Sequence, residues 1–332
     1  MPQTILTFAP RNAEEAAGIF RAASAAAEAG RKIRAGVIES PFGPAAGVKL
    51  PAAHSSMDEI ARAAVAGETL VLLSHAAMDG IHEISTKDFL AVVGGGVRFG
   101  ELVEAVRKAG LYFPHEPGAA GGVGAQGATR DATVAGIIMA GASFKTEGRY
   151  GRLREYLLSL ELVTPGGEII RAGSRSVKDV TGYDVTGFLM GQGGLCGMIA
   201  KATIRLLPAP GTRLGFVCEG ARGALESLAG EIRRRLAPAF LEMPAEGRLI
   251  GELQSAVRGR EEALLGSLSG LAPEGVRVAK VAAAATLALA DGPAAPSAPA
   301  AAPFAAATGD RVTDELNRRL LRVFDPQGIM LP

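Results

Sequence analysis

Two glycine clusters have a spacing that could bind a phosphate group. Gly122, Gly124 and Gly127 follow the G-x-G-x-x-G pattern of dinucleotide-binding loops. That pattern normally comes directly after a buried strand, whereas here it follows residues 113–117, whose two prolines are incompatible with a central parallel strand. We therefore interpret it as a glycine-rich surface loop. Residues 94–96 lack the Gly-Lys-Ser/Thr ending of a P-loop, and we interpret them as a strand-to-helix turn.

Side chains that could bind a metal or act as a nucleophile are few and scattered. None of the four histidines has a partner at i,i+3 or i,i+4, the spacing that metal ligands on a helix would need; these are His54, His75, His82 and His115. Cys196 lies among apolar residues and glycines, which disfavour a thiolate, and no serine has a G-x-S-x-G setting. Because there is no C-x-x-C sequence, the chain is not expected to hold an iron–sulfur cluster or a structural zinc ion of its own.

Two pairs of neighbouring residues, each with one aspartate, could act as acids or bases, namely Lys178-Asp179 and Tyr183-Asp184. Short acidic side chains in loops more often accept hydrogen bonds from nearby backbone N–H groups. We therefore interpret both pairs as residues that fix loop geometry, and we assign no catalytic residue and no metal ligand.

The composition is that of an ordinary globular protein. The chain has 332 residues, 48% of them apolar, and a formal net charge of +1, so there is no electrostatic case for nucleic-acid binding. It contains no run of about 18 apolar residues and no basic-then-apolar N-terminal signal. We expect a cytoplasmic protein whose membrane contact, if any, is made through partner subunits.

The elements that would position these residues follow from hydrophobic periodicity and turn residues. Asn12 and Glu15 have the layout of a capping box at the start of a helix. Residues 165–167, Pro-Gly-Gly, predict a hairpin turn. The predicted helices are residues 12–29, 57–66, 99–109, 224–236 and 311–324, and the predicted strands are residues 4–8, 32–36, 70–73, 90–93, 156–164, 168–172, 199–207, 214–219 and 248–257.

The composition changes along the chain predict four parts. Residues 1–210 form the first domain, and residues 211–281 form a second, small α+β domain. Residues 282–308 are almost entirely alanine and proline and are interpreted as a linker. Residues 309–332 are a C-terminal helix and tail that return to the first domain.

Several segments, in order, resemble one known family. The segments are residues 93–117 with their F-P-x-x-P ending, residues 133–136 (T-V-A-G), residues 150–157 (Y-G-R-L-R-E-Y-L), residues 177–184 (V-K-D-V-T-G-Y-D), residues 191–199 and residues 324–329 (F-D-P-Q-G-I). By these segments the chain resembles the FAD-binding PCMH-type family of vanillyl-alcohol oxidase and glycolate oxidase. Within it, the chain is most similar to the small FAD-binding subunit of bacterial glycolate oxidase-like 2-hydroxy-acid dehydrogenases.

The resemblance implies an α+β, two-subdomain PCMH-type FAD-binding fold with a reduced α+β cap domain. It also implies FAD, with the diphosphate held by backbone N–H groups in loops at residues 35–40 and 133–143 and an apolar wall at residues 197–199. The cofactor-binding residues implied in this way are Ala35, Gly36, Val37, Ser40, Pro117, Gly118, Thr133, Gly136, Ser143, Tyr150, Gly197 and Ile199.

The resemblance further implies a flavin-binding, electron-relay subunit of a multi-subunit dehydrogenase acting on glycolate, D-lactate or a similar 2-hydroxy acid. Its partners would be a larger FAD-containing catalytic subunit and an iron–sulfur subunit. The region after Pro208 has no histidine, so a complete hydroxy-acid site is not expected in this chain. Two alternatives stay open: a structural subunit that has lost FAD, since Glu39 would bring a negative charge toward a phosphate, and a free-standing FAD oxidase.

Overall fold

The chain is built around three larger sheets. A computed structural model describes residues 4–37, 57–116, 130–175, 184–191, 194–245, 247–283, 319 and 322–330. The sheets have three, five and four strands, and two further short strands form a ladder of their own. No helix in these ranges is both long enough and apolar enough to cross a membrane.

The first sheet is parallel, with strand order β1-β3-β2, and two helices follow its first two strands. The first helix begins as predicted, because the Asn12 side chain accepts a hydrogen bond from the Glu15 N–H at 2.8 Å. Phe8, Phe20 and Ile60 are fully or almost fully buried in the core of this unit. The elements are β1 (Thr4–Phe8), α1 (Ala13–Glu28), β2 (Ile33–Val37), α2 (Met57–Ala66) and β3 (Thr69–Leu73).

The second sheet is antiparallel throughout, with strand order β4-β5-β9-β7-β8. Four helices pack with it around a core that includes Phe99, Phe113 and Ile137. The elements are β4 (Ile81–Ser85), β5 (Leu90–Gly94), α3 (Phe99–Lys108), α4 (Val134–Met139), α5 (Glu147–Tyr150), β7 (Leu157–Val163), β8 (Ile169–Gly173), α6 (Val185–Leu189) and β9 (Met198–Arg205).

The third sheet forms a separate unit, which we call the cap unit (residues 212–281). It is reached through the ladder in which β6 (Leu111–Tyr112) pairs with β10 (Leu207–Pro208). Its strand order is β12-β13-β11-β14, and its own core contains Phe216, Ile232 and Leu268. The elements are β11 (Thr212–Glu219), α7 (Arg222–Arg235), β12 (Phe240–Ala245), β13 (Arg248–Ser255), α8 (Glu261–Leu271) and β14 (Arg277–Val281).

The C-terminal residues return to the first sheet. The Ala35 N–H donates to the Ile329 carbonyl at 2.6 Å, and Ala35 and Met330 form a parallel bridge along the outer strand β2. The Asp325 carboxylate accepts hydrogen bonds from the N–H groups of Ile329 and Met330, each at 2.9 Å. The tail thereby satisfies part of an edge that would otherwise be open.

Most predicted elements are confirmed, and several shorter or less periodic ones were missed. The helices at residues 57–66 and 99–109 and the strand–turn–strand around residues 165–167 are present within a residue or two. Sequence periodicity missed β4, β12, α8 and β14: the first is a largely exposed edge strand, the second contains Pro244, and the third carries two internal glycines. Of the helix predicted at residues 311–324, only residues 319 and 322–324 are described, and they are helical.

Two segments predicted to hold a diphosphate in loops contain regular elements, so the predicted loop is wrong over residues 134–139, and the binding of a diphosphate stays a prediction. Residues 35–37 belong to strand β2, and residues 134–139 form the helix α4. The run of small apolar residues from Val134 to Met139 is entirely buried, so tertiary packing makes it a helix. The remainder of the first loop, residues 38–40, lies outside the described residues, as do most of the linker at 282–308 and the G-x-G-x-x-G segment. The four-part domain division stays a prediction.

We predict that Asp325→Ala lowers the free energy of unfolding by about 3 kcal/mol, because two buried N–H groups lose a charged acceptor. Urea unfolding followed by circular dichroism measures this. The matched control is Gln327→Ala, whose side chain makes an exposed hydrogen bond to Glu28 at 3.0 Å and should change stability by less than about 0.5 kcal/mol. Equal effects of the two replacements would contradict a specific role for Asp325.

Candidate functional site

The start of α4 contains two of the predicted site residues, Thr133 and Gly136. The Thr133 hydroxyl caps the helix by accepting a hydrogen bond from the Gly136 N–H at 3.0 Å. The N–H groups of Val134 and Ala135 donate to the carbonyls of Val97 and Gly95, at 2.9 and 2.8 Å. Since these N–H groups already have protein acceptors, this turn offers few donors to a phosphate. The contact of Thr133 and Gly136 with a cofactor stays a prediction.

Strand β2 brings three further predicted residues to the same region. Ala35 is fully buried, and Val37 packs against the cores of both the first and the second sheet. A Cβ atom built on Gly194 would lie 3.5 Å from the Val37 Cβ, so the end of β2 touches the glycine segment that precedes β9. Gly36 lies between Ala35 and Val37 in the same strand. Ser40, Pro117 and Gly118 lie outside the described residues.

The described glycines among residues 191–197 pack closely against other parts of the chain. Gly197 has φ +124°, and a Cβ atom there would overlap the Val163 carbonyl at the end of β7. The Gly191 N–H donates to the Ile138 carbonyl of α4 at 3.0 Å. Ile199 is buried and pairs with Leu162 across β9 and β7. These contacts account for Gly191 and Gly197 without a ligand, and the cofactor contacts of Gly197 and Ile199 stay predictions.

Tyr150 lies at the boundary with the cap unit. Its hydroxyl donates to the Gln254 side-chain oxygen on β13. The Gln254 amide in turn donates to the Tyr112 hydroxyl at 3.1 Å. The Ser143 side chain is half-buried and has no hydrogen-bond partner within the described ranges, so its hydroxyl could serve a ligand.

A buried charge cluster, which the sequence reasoning missed, joins the cap unit to the second sheet. The Arg213 Nε and Nη2 atoms donate to Glu252 at 2.7 and 2.9 Å, and Nη1 and Nη2 donate to Glu116 at 2.8 and 2.9 Å. The side chains of Glu116 and Glu252 are 7% and 2% exposed. Burial alone would lower the pKa of Arg213, but hydrogen bonds to Glu252 and Glu116 outweigh it and raise that pKa above its usual range.

His115 is a neutral histidine in an aromatic pocket next to this cluster. It is fully buried, with ring centroids 4.8 Å from Tyr156, 5.0 Å from Phe144 and 5.3 Å from Phe113. Burial lowers its pKa to about 4. Its Nε2 atom lies 3.0 Å from the Gly151 carbonyl, which can only accept, so Nε2 carries the proton. Nδ1 has no hydrogen-bond partner within the described residues.

The structure describes three of the candidate reactive groups, whereas Lys178, Asp179 and Tyr183 lie outside the described residues. The Asp184 carboxylate caps α6 by accepting from the Gly187 N–H at 2.8 Å, and hydrogen bonds from Arg154 and this N–H lower its pKa. Burial raises the pKa of Cys196 to about 12, which disfavours its thiolate. Gly94 ends β5, and Gly95 and Gly96 belong to the turn that leads to α3. Across the ranges that the structure describes, no group of three or more histidine, cysteine or acidic residues is placed to hold a metal ion.

Comparison with known proteins agrees with the resemblance seen in the sequence. Residues 53–173 match the model of a family described as FAD binding domain. The glycolate oxidase subunit GlcD of Bacillus subtilis is 30% identical over 178 residues, which are 53% of this chain and 36% of that protein. A D-lactate dehydrogenase of Archaeoglobus fulgidus is 34% identical over 198 residues, which are 59% of this chain and 42% of that protein.

The fold is also found among solved structures. An alkyldihydroxyacetonephosphate synthase has a TM-score of 0.60 at 13% sequence identity, covering 86% of this chain and 54% of that chain. At this identity the likeness shows the fold alone. The chain spans less than half the length of the two curated relatives that it matches, 36% and 42%.

Among the described residues, the predicted site residue Ser143 has a polar group that a cofactor could use. The half-buried Ser143 hydroxyl, without a partner among the described residues, can donate to a polar atom of the cofactor. The first-turn N–H groups of α4 are already bonded to protein, so donors for the two phosphates have to come from other residues. Residues 118–127 are rich in glycine in the sequence, and glycine lets backbone N–H groups approach a phosphate closely.

His115 predicts a pH-dependent stability. Its pKa is about 4 in the folded chain and about 6.5 in the unfolded chain, so the unfolded state binds more protons between these values. Stability is therefore full above about pH 6.5 and falls as the pH approaches 4. Between pH 7 and pH 5 we expect His115 to account for a loss of about 2 kcal/mol.

Urea unfolding at the two pH values, for the wild type and for His115→Gln, measures this loss as the difference between their slopes. The matched control is His82→Gln, because that side chain is exposed and should leave the pH dependence of the wild type in place. A His115→Gln chain with the full wild-type loss would contradict the assignment.

The glycine segment predicts a contrast between two replacements. Gly197→Ala should lower the free energy of unfolding by at least about 3 kcal/mol, because φ is +124° and the new methyl group would overlap the Val163 carbonyl. Gly191→Ala, with φ +81° and its nearest neighbour at 4.0 Å, should cost only about 1–2 kcal/mol. Thermal unfolding distinguishes them, and similar costs at both positions would show that backbone packing does not explain Gly197.

Two observations agree on an FAD-binding domain in this chain. The ordered sequence motifs resemble those of such a domain, and residues 53–173 match its family model. The chain therefore carries an FAD-binding domain, and over 53% and 59% of its length it is similar to a glycolate oxidase subunit and to a D-lactate dehydrogenase.

Proposed function

We propose that this chain is a flavin-binding, electron-relay subunit of a multi-subunit 2-hydroxy-acid dehydrogenase. The substrate class, glycolate, D-lactate or a similar acid, is taken from the relatives, which are a glycolate oxidase subunit and a D-lactate dehydrogenase. FAD, when bound, supplies the hydride and electron chemistry. The residues of this chain bind and orient it.

The accessory role is supported by one observation: Arg213, Lys145 and Arg149, three cations at the boundary with the cap unit, already have partners within the chain. Binding a hydroxy acid needs a cation for the carboxylate, best supplied by a free guanidinium fork. Arg213 has four hydrogen bonds to Glu116 and Glu252.

Two further cations at this boundary also have partners within the chain. Lys145 pairs with Glu242 of β12 at 2.6 Å, and Arg149 donates to the Ala237 carbonyl. Each of these cations is therefore already paired with an oxygen of the chain itself.

A histidine that could act as the base for the hydroxyl proton is also lacking in the cap unit. All four histidines of the sequence come before residue 116, so residues 212–281 contain none. This favours a chain that binds the flavin but leaves the oxidation of the acid to a partner.

The proposed partners are a larger FAD-containing catalytic subunit and an iron–sulfur subunit. The sequence has only two cysteines, Cys196 and Cys218, too few for the four thiolates of a usual cluster. Both are free and buried, as is common in the reducing cytoplasm. We place the protein there, with any membrane contact made through the partners.

The chain purified alone tests the proposal. We expect visible flavin absorption, FAD released on denaturation, no bleaching by glycolate or D-lactate without oxygen, and full bleaching by dithionite as a control. Native purification through a tag on this chain should bring down a second flavoprotein and an iron–sulfur protein.

Two outcomes would overturn it. A colourless chain that releases no FAD would favour the structural subunit that has lost its flavin. Bleaching by a hydroxy acid in the absence of other subunits would instead favour a free-standing FAD oxidase.

A further inference from the structure

A glutamine of the cap unit lies between two tyrosine hydroxyls of the FAD-binding half of the chain. The Gln254 side-chain oxygen accepts a hydrogen bond from the Tyr150 hydroxyl, and the Gln254 side-chain nitrogen donates to the Tyr112 hydroxyl at 3.1 Å. The centroids of the two tyrosine rings are 6.0 Å apart. One amide group therefore joins two neighbouring hydroxyls.

The orientation of the Gln254 amide is fixed by Glu252. The Glu252 Oε1 atom accepts a hydrogen bond from the Gln254 side-chain nitrogen at 2.6 Å and another from the Arg213 Nε atom at 2.7 Å. A carboxylate paired with an arginine can only accept hydrogen bonds, so the amide has to turn its nitrogen, and not its oxygen, toward Glu252. The buried charge cluster thereby determines which end of the amide each tyrosine meets.

This orientation makes the two hydroxyls chemically different. Burial raises the pKa of both tyrosines, so both keep their protons at neutral pH. Tyr150 donates its proton to Gln254 and has an oxygen lone pair left that can accept. Tyr112 accepts from Gln254 and keeps its own proton, for which the described residues provide no hydrogen-bond acceptor. Because Tyr112 is only 6% exposed, a donor left unused there is costly unless a ligand accepts from it.

The lone pair of Tyr150 and the proton of Tyr112 match a ligand edge that carries an N–H donor beside a carbonyl acceptor. The two hydroxyls already receive one such edge, since they bond the separate oxygen and nitrogen atoms of the Gln254 amide. A ligand hydroxyl group would instead require both tyrosines to meet at a single oxygen atom. In FAD, the imide edge of the flavin ring carries an N–H group between two carbonyls and so has the matching pattern.

We propose that Tyr112 and Tyr150 bind the imide edge of the flavin ring, with the Tyr150 oxygen accepting from the imide N–H and the Tyr112 hydroxyl donating to a neighbouring carbonyl. Gln254 is a positioning residue, because it determines which hydroxyl donates and which accepts. The inference rests on the proposed function, in which this chain binds FAD. It adds Tyr112 to the cofactor-binding residues and gives the cap unit a part in orienting them.

An FAD analogue methylated on the imide nitrogen, here called methyl-FAD, tests the Tyr150 contact. It cannot donate from that nitrogen but keeps both carbonyls. The full chain is freed of FAD and titrated with each form, and binding is followed by flavin fluorescence. We expect the wild type to bind methyl-FAD at least about tenfold more weakly than FAD. Tyr150→Phe, which has no oxygen to accept the N–H, should bind the two forms within about threefold of each other.

Tyr112→Phe should give a different pattern. Its lost hydrogen bond goes to a carbonyl that both forms carry, so both dissociation constants should rise about tenfold while their ratio stays that of the wild type. The control is Lys145→Met, which breaks the 2.6 Å pair with Glu242 at the same boundary and leaves both tyrosines in place. It should bind each form within about twofold of the wild type. Thermal unfolding of each FAD-free variant reports loss of stability separately from loss of affinity.

The outcomes separate this inference from the function on which it rests. A wild type that binds FAD and methyl-FAD alike overturns the inference and leaves the proposed function in place. The same holds if Tyr150→Phe rejects methyl-FAD as strongly as the wild type does, or if Lys145→Met loses as much affinity as Tyr112→Phe. A wild-type chain that binds no FAD overturns the proposed function and this inference together. If Tyr150→Phe does not fold, the wild-type ratio and Tyr112→Phe decide.

Discussion

A guanidinium buried between two carboxylates is the interaction on which the arrangement of this chain depends. Removing three charged groups from water is costly, and their mutual attraction repays the cost only while every partner is present. Arg213, Glu252 and Glu116 meet that condition through four hydrogen bonds. Because Arg213 and Glu252 belong to the cap unit and Glu116 to the FAD-binding domain, the cap unit is tied to that domain by a contact that tolerates little displacement.

A second constraint acts inside the FAD-binding half. The glycine segment before β9 lies against the end of β7, against α4 and against Val37 at the end of β2. Three elements from distant parts of the chain can approach so closely only where no side chain intervenes. This glycine segment resembles a ligand-binding loop in the sequence, but its described contacts are with other parts of the chain. Through them it packs the first sheet against the second.

Local sequence signals predicted the regular elements well and the site poorly. The helix start at Asn12 and the Pro165-Gly166 hairpin depend on neighbours in the chain, and both are present. Arg213 contacts residues that are 97 and 39 positions away in the sequence, and Tyr150 contacts a residue 104 positions away. Contacts over such separations cannot be predicted from periodicity or motif spacing. Small apolar residues at 134–139 look like a loop in isolation and become a helix only because they are buried. FAD could be predicted only from the family motifs, because the composition of one sequence does not reveal the fold that binds it.

The tail that lies along β2 has a consequence for how the first sheet folds. The outer strand and its neighbour at Ile329 and Met330 are far apart in the sequence, so their pairing closes a very long loop. Contacts between such distant residues form slowly, because the entropy of loop closure is lost before the contact stabilises anything. We therefore expect the outer edge of the first sheet to be completed late in folding.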